Sequence, residues 1–402
     1  VYIGTIVLLN IPNIQQAMSV FVAEELSEVL NTKVVIGRIN MGLLNRIIID
    51  DVLLDDQSGQ EMLKVTRLSA KFDIMPFFKG KISISSVQLF GFNINLRKET
   101  PDSPPNFKFV LDAFASKDTV KKENSLDLRI NSILIRRGRM SYHVLSEEET
   151  PGKFNAKHIQ LQNIIANISL KALSKDSLNL GIKRLSLDEK ASGFSLKKMS
   201  LKLVANNKQT NIDNFTIELP ETSLKLDTIH LEYDSLKAFD RFTEQVHFSF
   251  RTLPSQVTLK DISPFVPILS HFKELVTLDM EVKGTVDQLT CSHLEITADD
   301  RQFRLRGDVS LQDLSHPQDA YVYGTLSELS ANTRGVGFLV GNLSPNYNGG
   351  PPLLERLGNV SFQGEISGYF TDLVTYGQLQ TSLGNVKTDL KLSSDKTKGL
   401  FA

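Results

Sequence analysis

Apolar residues recur along this chain at i, i+2, i+5 and i+7. Two fall at strand spacing, one residue slips, and two more follow. Alternation marks a strand with one buried face. The slip is the sequence trace of a β-bulge, in which one extra residue bends the strand and keeps both halves facing the same way. The pattern is clearest in residues 80–98, GKISISSVQLFGFNINLRK, and it returns 46 residues later in LDLRINSILIRRGRMSYHV. Ile82, Ile84, Val87, Leu89, Ile94 and Leu96 fall on Leu128, Ile130, Ile133, Ile135, Met140 and Tyr142.

The same spacing fits Val34, Ile36, Ile39, Met41; Ile47, Ile49, Val52, Leu54; and Leu63, Val65, Leu68, Ala70. It fits again at Phe154, Ala156, Ile159, Leu161; Leu180, Ile182, Leu185, Leu187; and Phe194, Leu196, Met199, Leu201. Leu224, Leu226, Ile229, Leu231 is a further copy, and Thr210, Ile212, Phe215, Ile217 a degraded one. Several copies start 13 to 19 residues apart, the spacing of strands joined by short turns. One strand per copy gives on the order of 20 strands. The expected fold is mainly β: a long, repetitive, bulged antiparallel sheet curled into an open groove, a β-taco. A shared phase makes Ile82, Ile84, Val87, Leu89, Leu128, Ile130, Ile133, Ile135, Leu180, Ile182, Leu185, Leu187, Leu224, Leu226, Ile229 and Leu231 the expected groove lining. Ser83, Arg129, Asn131 and Lys183 are expected to face water.

Other stretches break the pattern. Val1 to Ala23 carries no charge, and the apolar run at its start reads as the end of a truncated membrane helix. Pro12 opens an amphipathic helix through Ile14, Ala17, Met18, Phe21, Val22, Leu26, Val29 and Leu30. Asn31 ends it. Its acidic charges favour capping the β structure over lying on anionic lipid. LLDDQSGQEML is a turn in which Asp55 and Asp56 lack EF-hand spacing and read as solvated. DIMPFFKG reads as one helical turn, FKFVLDAFASK as a short helix, and SKDTVKKENS as an exposed linker. SPFVPILSHFKELV is expected to be a proline-flanked helix with Phe265, Ile268, Leu269, Phe272 and Leu275 on one face. SPNYNGGPPLLERLG is its counterpart about 80 residues on, and each precedes a meander in which Val282, Gly284 and Val286 match Phe362, Gly364 and Ile366. The expected divisions are 1–11, the membrane anchor; 12–31, the capping helix; 32–260, an N-terminal β-groove; and 261–402, helix-plus-meander repeats continuing it.

Composition removes some functions. With 45 Lys plus Arg against 46 Asp plus Glu there is no basic surplus for nucleic acid. A single cysteine, Cys291, precludes an internal disulfide and reads as a bystander. The seven histidines show no pair at metal-ligand spacing along the sequence, so no metal is expected. GVGFLVG lacks the Lys and the helix of a phosphate loop, and G-x-S-x-G is absent. No catalytic residue, no cofactor and no enzyme activity are expected, although carboxylates converging in space as a glycosidase pair are not visible in sequence.

The opening resembles the AsmA-like and TamB proteins of diderm bacteria. The stretches that carry the resemblance are LNTKVVIGRINMGLLN, IIIDDVLLDDQSGQEMLKVTRLSAKFDIMPFFKG and KISISSVQLFGFNINL. It covers the N-terminal 100 residues and extends by pattern to the repeated meanders. It implies a bacterial inner-membrane protein with a single-pass N-terminal anchor and its bulk in the periplasm. There it would move phospholipid acyl chains along an apolar groove and reach a TamA-like outer-membrane barrel through a region beyond residue 402. Two other readings stand beside it. One is a scaffold or chaperone-like subunit for outer-membrane protein insertion without lipid conduction. The other is a carbohydrate-active β-solenoid, which the lack of Trp disfavours.

Overall fold

A computed structural model describes residues 11–42, 45–72, 84–114, 131–173, 177–298, 302–316, 319–336, 357–369, 372–395 and 399–401. The protein is mainly β, with an N-terminal α-helix and a large mixed sheet of antiparallel and parallel strands. It divides into two compact units. One holds residues up to Lys171 together with Leu180–Met199, and the other holds Ala172–Asn179 and Ser200–Ala402.

In the first unit, α1 (Pro12–Leu30) precedes β1 (Val34–Gly42), β2 (Arg46–Asp55), β3 (Glu61–Phe72) and β4 (Ile84–Lys98). After α2 (Lys108–Phe114) come β5 (Ser132–Val144), β6 (His158–Leu173), β7 (Ser177–Glu189) and the start of β8 (Ser195–Asn206). β1 to β4 are joined antiparallel, as are β5 and β6. β4 and β5 are parallel, which corrects the all-antiparallel expectation. The segment between Lys98 and Ser132 is long enough for the crossover that parallel strands require. The 46-residue repeat is the register of this pair: Val87 faces Ile133, Leu89 faces Ile135, Ile94 faces Met140 and Leu96 faces Tyr142.

The bulges are real, and they share one backbone state. Asp51, Gly91, Arg137, Asn163, Asn214 and His293 all have φ between 54° and 64° in mid-strand. Asp51 and Asn214 sit one residue before the third apolar position of an expected copy, ahead of Val52 and Phe215, and His293 likewise precedes Leu294. Gly91, Arg137 and Asn163 instead lie five residues beyond the expected slips. A left-handed residue there turns the strand and restores its facing. In β4 and β5 the bulge is at Gly91 and Arg137, so the working frames are Val87, Leu89, Phe92, Ile94 and Ile133, Ile135, Gly138, Met140. Gly91 is needed because a Cβ would lie 2.7 Å from Thr66 Oγ1.

α1 starts at Pro12 and ends at Asn31, which takes the left-handed conformation (φ 48°) of a helix stop. Met18, Val22, Ala23, Leu26 and Leu30 pack with Val34, Ile36, Ile39 and Leu54, and α2 adds Phe109, Val110 and Ala113. The packed face differs from the expected one. Gln15 and Ser19 are buried, whereas Phe21 is 62% exposed and Val29 55% exposed. The inner-membrane anchor is also corrected. The uncharged run at residues 1–10 lies outside the described residues, and among these no helix is long and apolar enough to cross a membrane. α1 has the length, but Glu24, Glu25 and Glu28 make it costly in lipid, and its apolar side is taken by the sheet.

In the second unit β9 (Gln209–Glu218) pairs with β10 (Ser223–Lys225) and β11 (Ile229–Glu232). These are two halves of one interrupted copy, broken at the expected slip. α3 (Phe242–Gln245), β12 (His247–Arg251) and β13 (Ser255–Val257) follow. A meander comes next: β14 (Val276–Gly284), β15 (Gln288–Ala298), β16 (Phe303–Gln312), β17 (Tyr321–Ala331), β18 (Val360–Tyr369), β19 (Asp372–Thr381), β20 (Gly384–Asp395) and β21 (Gly399–Phe401). The expected helix near residue 264 is instead two 3-10 turns, Leu259–Ile262 and Pro267–His271. Pro264 and Pro267 lack the N–H groups that an α-helix interior needs. Val282 and Phe362 are both buried, as their alignment requires, but Val286 lies in a turn and Ile366 within a strand. DIMPFFKG, SKDTVKKENS and most of SPNYNGGPPLLERLG lie outside the described residues.

Candidate functional site

The register of the first unit converts the repeated spacing into four apolar rows across six strands. One row is Met41, Ile47, Ala70, Val87, Ile133, Ile168, and the next Ile39, Ile49, Leu68, Leu89, Ile135, Ala166. The other two are Ile36, Val52, Val65, Phe92, Ile164 and Val34, Leu54, Leu63, Ile94, Met140, Leu161. In the third row Gly138 stands at the β5 position, where a Cβ would overlap the Phe92 ring. The missing side chain lets the ring lie over β5.

Burial grades along these rows. Over β1 and β2 they are closed in by α1 and α2, and Val34, Ile36, Ile39 and Leu54 are buried. Over β4 to β6 Phe92, Gly138, Ile164 and Ala166 are buried along the rows, and Leu89, Ile94, Ile135, Met140, Leu161 and, from β7, Leu187 are half-buried around them. Among the described residues no helix belongs to this cluster. The face is apolar, ordered by the bulges, and only partly shielded from solvent.

The opposite face is polar. Asp50 accepts hydrogen bonds from Arg67, with its Oδ1 2.6 Å from Nε, and the carboxylate pushes the guanidinium pKa upward. Arg137 lies 5.1 Å over the Phe90 ring. Asn163 donates to Asp188 at 2.7 Å. The left-handed bulge residues thus place charge and amides on the side away from the rows.

Of the expected lining residues, Val87, Leu89, Ile133 and Ile135 lie side by side in two rows, and Leu187 joins their cluster. Ile84 pairs with Phe72 at the end of β4, and Leu180, Ile182 and Leu185 are half-buried in β7. Leu224, Leu226, Ile229 and Leu231 belong to the second unit, where Leu226 is buried and Leu231 packs on Tyr233, Ala238 and Val246. Ile82, Leu128 and Ile130 lie outside the described residues. Phe92, Gly138 and Ile164, the middle of the face, were missed because the slip was placed at residues 85–86 rather than 90–91. Applying the same spacing from Val87 would have found them.

Asp56 is not solvated as expected. Its side chain is 2% exposed and accepts from Ser58 N and Oγ, Gln60 N, Arg97 Nη2 at 2.7 Å and Asn106 Nδ2. Burial alone raises its pKa, but the hydrogen bonds from Ser58, Asn106 and Gln60 outweigh it, and the net shift is downward. This is a structural staple between the β2–β3 turn and the end of β4.

No protein family, curated protein or solved structure matches the chain. Without a membrane-crossing helix among the described residues, several readings are overturned. These are the inner-membrane-anchored phospholipid bridge, the single-pass inner-membrane location, the acyl-chain and membrane partners, and the TamA-like barrel partnership. Among the described residues the ladders that join β1 to β6 are antiparallel apart from β4–β5, unlike the parallel coils of a β-solenoid.

Proposed function

We propose that the protein is a non-catalytic, chaperone-like scaffold that holds extended apolar polypeptide on the face formed by β4 to β6. The observation that carries this reading is the set of aligned apolar rows left half-buried around Phe92 and Ile164. Contiguous apolar surface of this kind marks an interaction site. Strand-spaced ridges suit the alternating side chains of an extended chain. The polar opposite face, with its Asp50–Arg67 pair, keeps the binding one-sided. Curling of the sheet into an open groove, and kinship with the AsmA-like proteins at the level of fold, belong to the same proposal.

The test is fluorescence anisotropy with a permanently unfolded, reduced and carboxymethylated globular protein as probe. Phospholipid vesicles form a parallel arm. Saturable binding of the unfolded chain, competed by extended apolar peptides, is expected. Extraction of phospholipid without any binding of unfolded chain would overturn the reading.

A further inference from the structure

His143 lies near the end of β5 and His158 opens β6, and the two are cross-strand partners. Fourteen intervening residues hide this pairing in the sequence. Their Nδ1 atoms are 3.0 Å apart, with ring planes tilted by 51°. His158 is buried, and its Nε2 lies 2.9 Å from the carbonyl oxygen of Glu147. A carbonyl only accepts, so Nε2 carries the proton and Nδ1 presents its lone pair toward His143. An outer hydrogen bond of this kind fixes the tautomer and ring orientation of a metal-ligating histidine. Glu149 Oε1 stands 3.9 Å from His143 Nδ1, and one ligand atom from each of the three residues lies within 4.8 Å of the others. The nearby Lys157 ammonium is held by Glu147 at 2.6 Å.

We propose that His143, His158 and Glu149 form a divalent transition-metal site suited to Zn2+, with a fourth position open to water or to a partner's ligand. Donors about 2.1 Å from one tetrahedral ion stand roughly 3.4 Å apart, so the two imidazoles are close to ligating distance. The Glu149 carboxylate is 62% exposed and free to swing inward. Two imidazoles and a carboxylate are a donor set for zinc rather than for calcium or magnesium. The ion would clip together the ends of the 145–157 loop. The backbone of that loop also bonds to Lys98, Glu99 and Ala191.

The experiment titrates Zn2+ into the full chain, stripped with chelator, against a chromogenic zinc indicator. Co2+ serves as a second probe read by visible absorption. One equivalent of Zn2+ is expected to bind and to raise the melting temperature. Affinity should fall at least about a hundredfold in His143→Ala and about tenfold in Glu149→Gln. His316→Ala, at an exposed histidine elsewhere, should bind as the parent does. Circular dichroism checks that each variant folds, and Glu149→Gln, on an exposed side chain, keeps the test decisive if a histidine variant does not. Absence of saturable one-equivalent binding, or binding unchanged in the folded His143→Ala and Glu149→Gln variants, would overturn the site.

Discussion

Asp56 and Glu189 hold hairpin turns by the same device. Each is a buried carboxylate that accepts several donors from its own turn and one from a neighbouring strand. Glu189 accepts from Ser192 N at 2.6 Å and Ala191 N at 3.2 Å in its turn, and from Gln160 N at 3.0 Å in β6. Its pKa is depressed like that of Asp56: burial pushes it up, and the hydrogen bonds from Ser192, Gln160 and Ala191 push it further down. A depressed folded pKa adds stability that is present above the unfolded value. That stability is lost as pH falls through the folded one. Urea midpoints should therefore drop on acidification below about pH 4, and Asp56→Asn should flatten the drop. Asp56→Ala leaves Arg97 facing an emptied pocket and should cost about 3 kcal/mol at neutral pH. Cys291 is buried in β15, where desolvation, helped by Asp308, lifts its thiol to about 11. Native protein should resist alkylation at pH 8, and unfolding should expose the thiol to it.

At the scale of the element, the left-handed bulge is the repeated part. Asn214 lies in the weakest copy and still takes φ 54°. Replacing it with Val should cost about 1–2 kcal/mol, because a β-branched residue clashes with itself in that conformation, whereas Gly should be tolerated. Equilibrium denaturation of the two variants checks this. Gly138→Ala should cost about 2 kcal/mol by pushing Phe92 off β5, and a Phe92→Leu partner should recover part of the loss. The strands were legible because period-2 alternation is a local signal, and so were the slips at Asp51 and Asn214. Those at Gly91, Arg137 and Asn163 fall five residues later than expected, because the alternation runs on past the first place where a slip fits. The parallel pairing of β4 and β5 was not, since it depends on a crossover. The 46-residue repeat held the register all the same, as Val87 against Ile133 shows. The failed helix near residue 264 shows helical spacing of apolar residues overridden by two prolines.

The chain folds into two units, each built largely of strands. In the first unit the apolar face runs from a closed end under α1 and α2 to a half-buried stretch over β4 to β6. Leu89, Ile135 and Leu187 lie in one cluster, and Lys183 is exposed. The His143–His158 pair was not readable, because two histidines on facing strands have no fixed sequence spacing. An ordinary core and a binding face respond differently to charge. Val65→Asp, at a 4% exposed position, buries a carboxylate and should unfold the unit, whereas Ile135→Asp, at a half-buried one, should leave it folded. Melting by circular dichroism separates the two.

Capture of extended polypeptide by the proposed Leu89–Ile135–Leu187 face can be read directly. Photo-crosslinking residues placed one at a time at Ile135 and Leu187, and at Arg136 and Lys183 as exposed controls, test it with the same unfolded probe. Capture at Ile135 and Leu187, with little at Arg136 and Lys183, is the predicted result. Equal capture at all four positions, or none at Ile135 and Leu187 in folded protein, would contradict it.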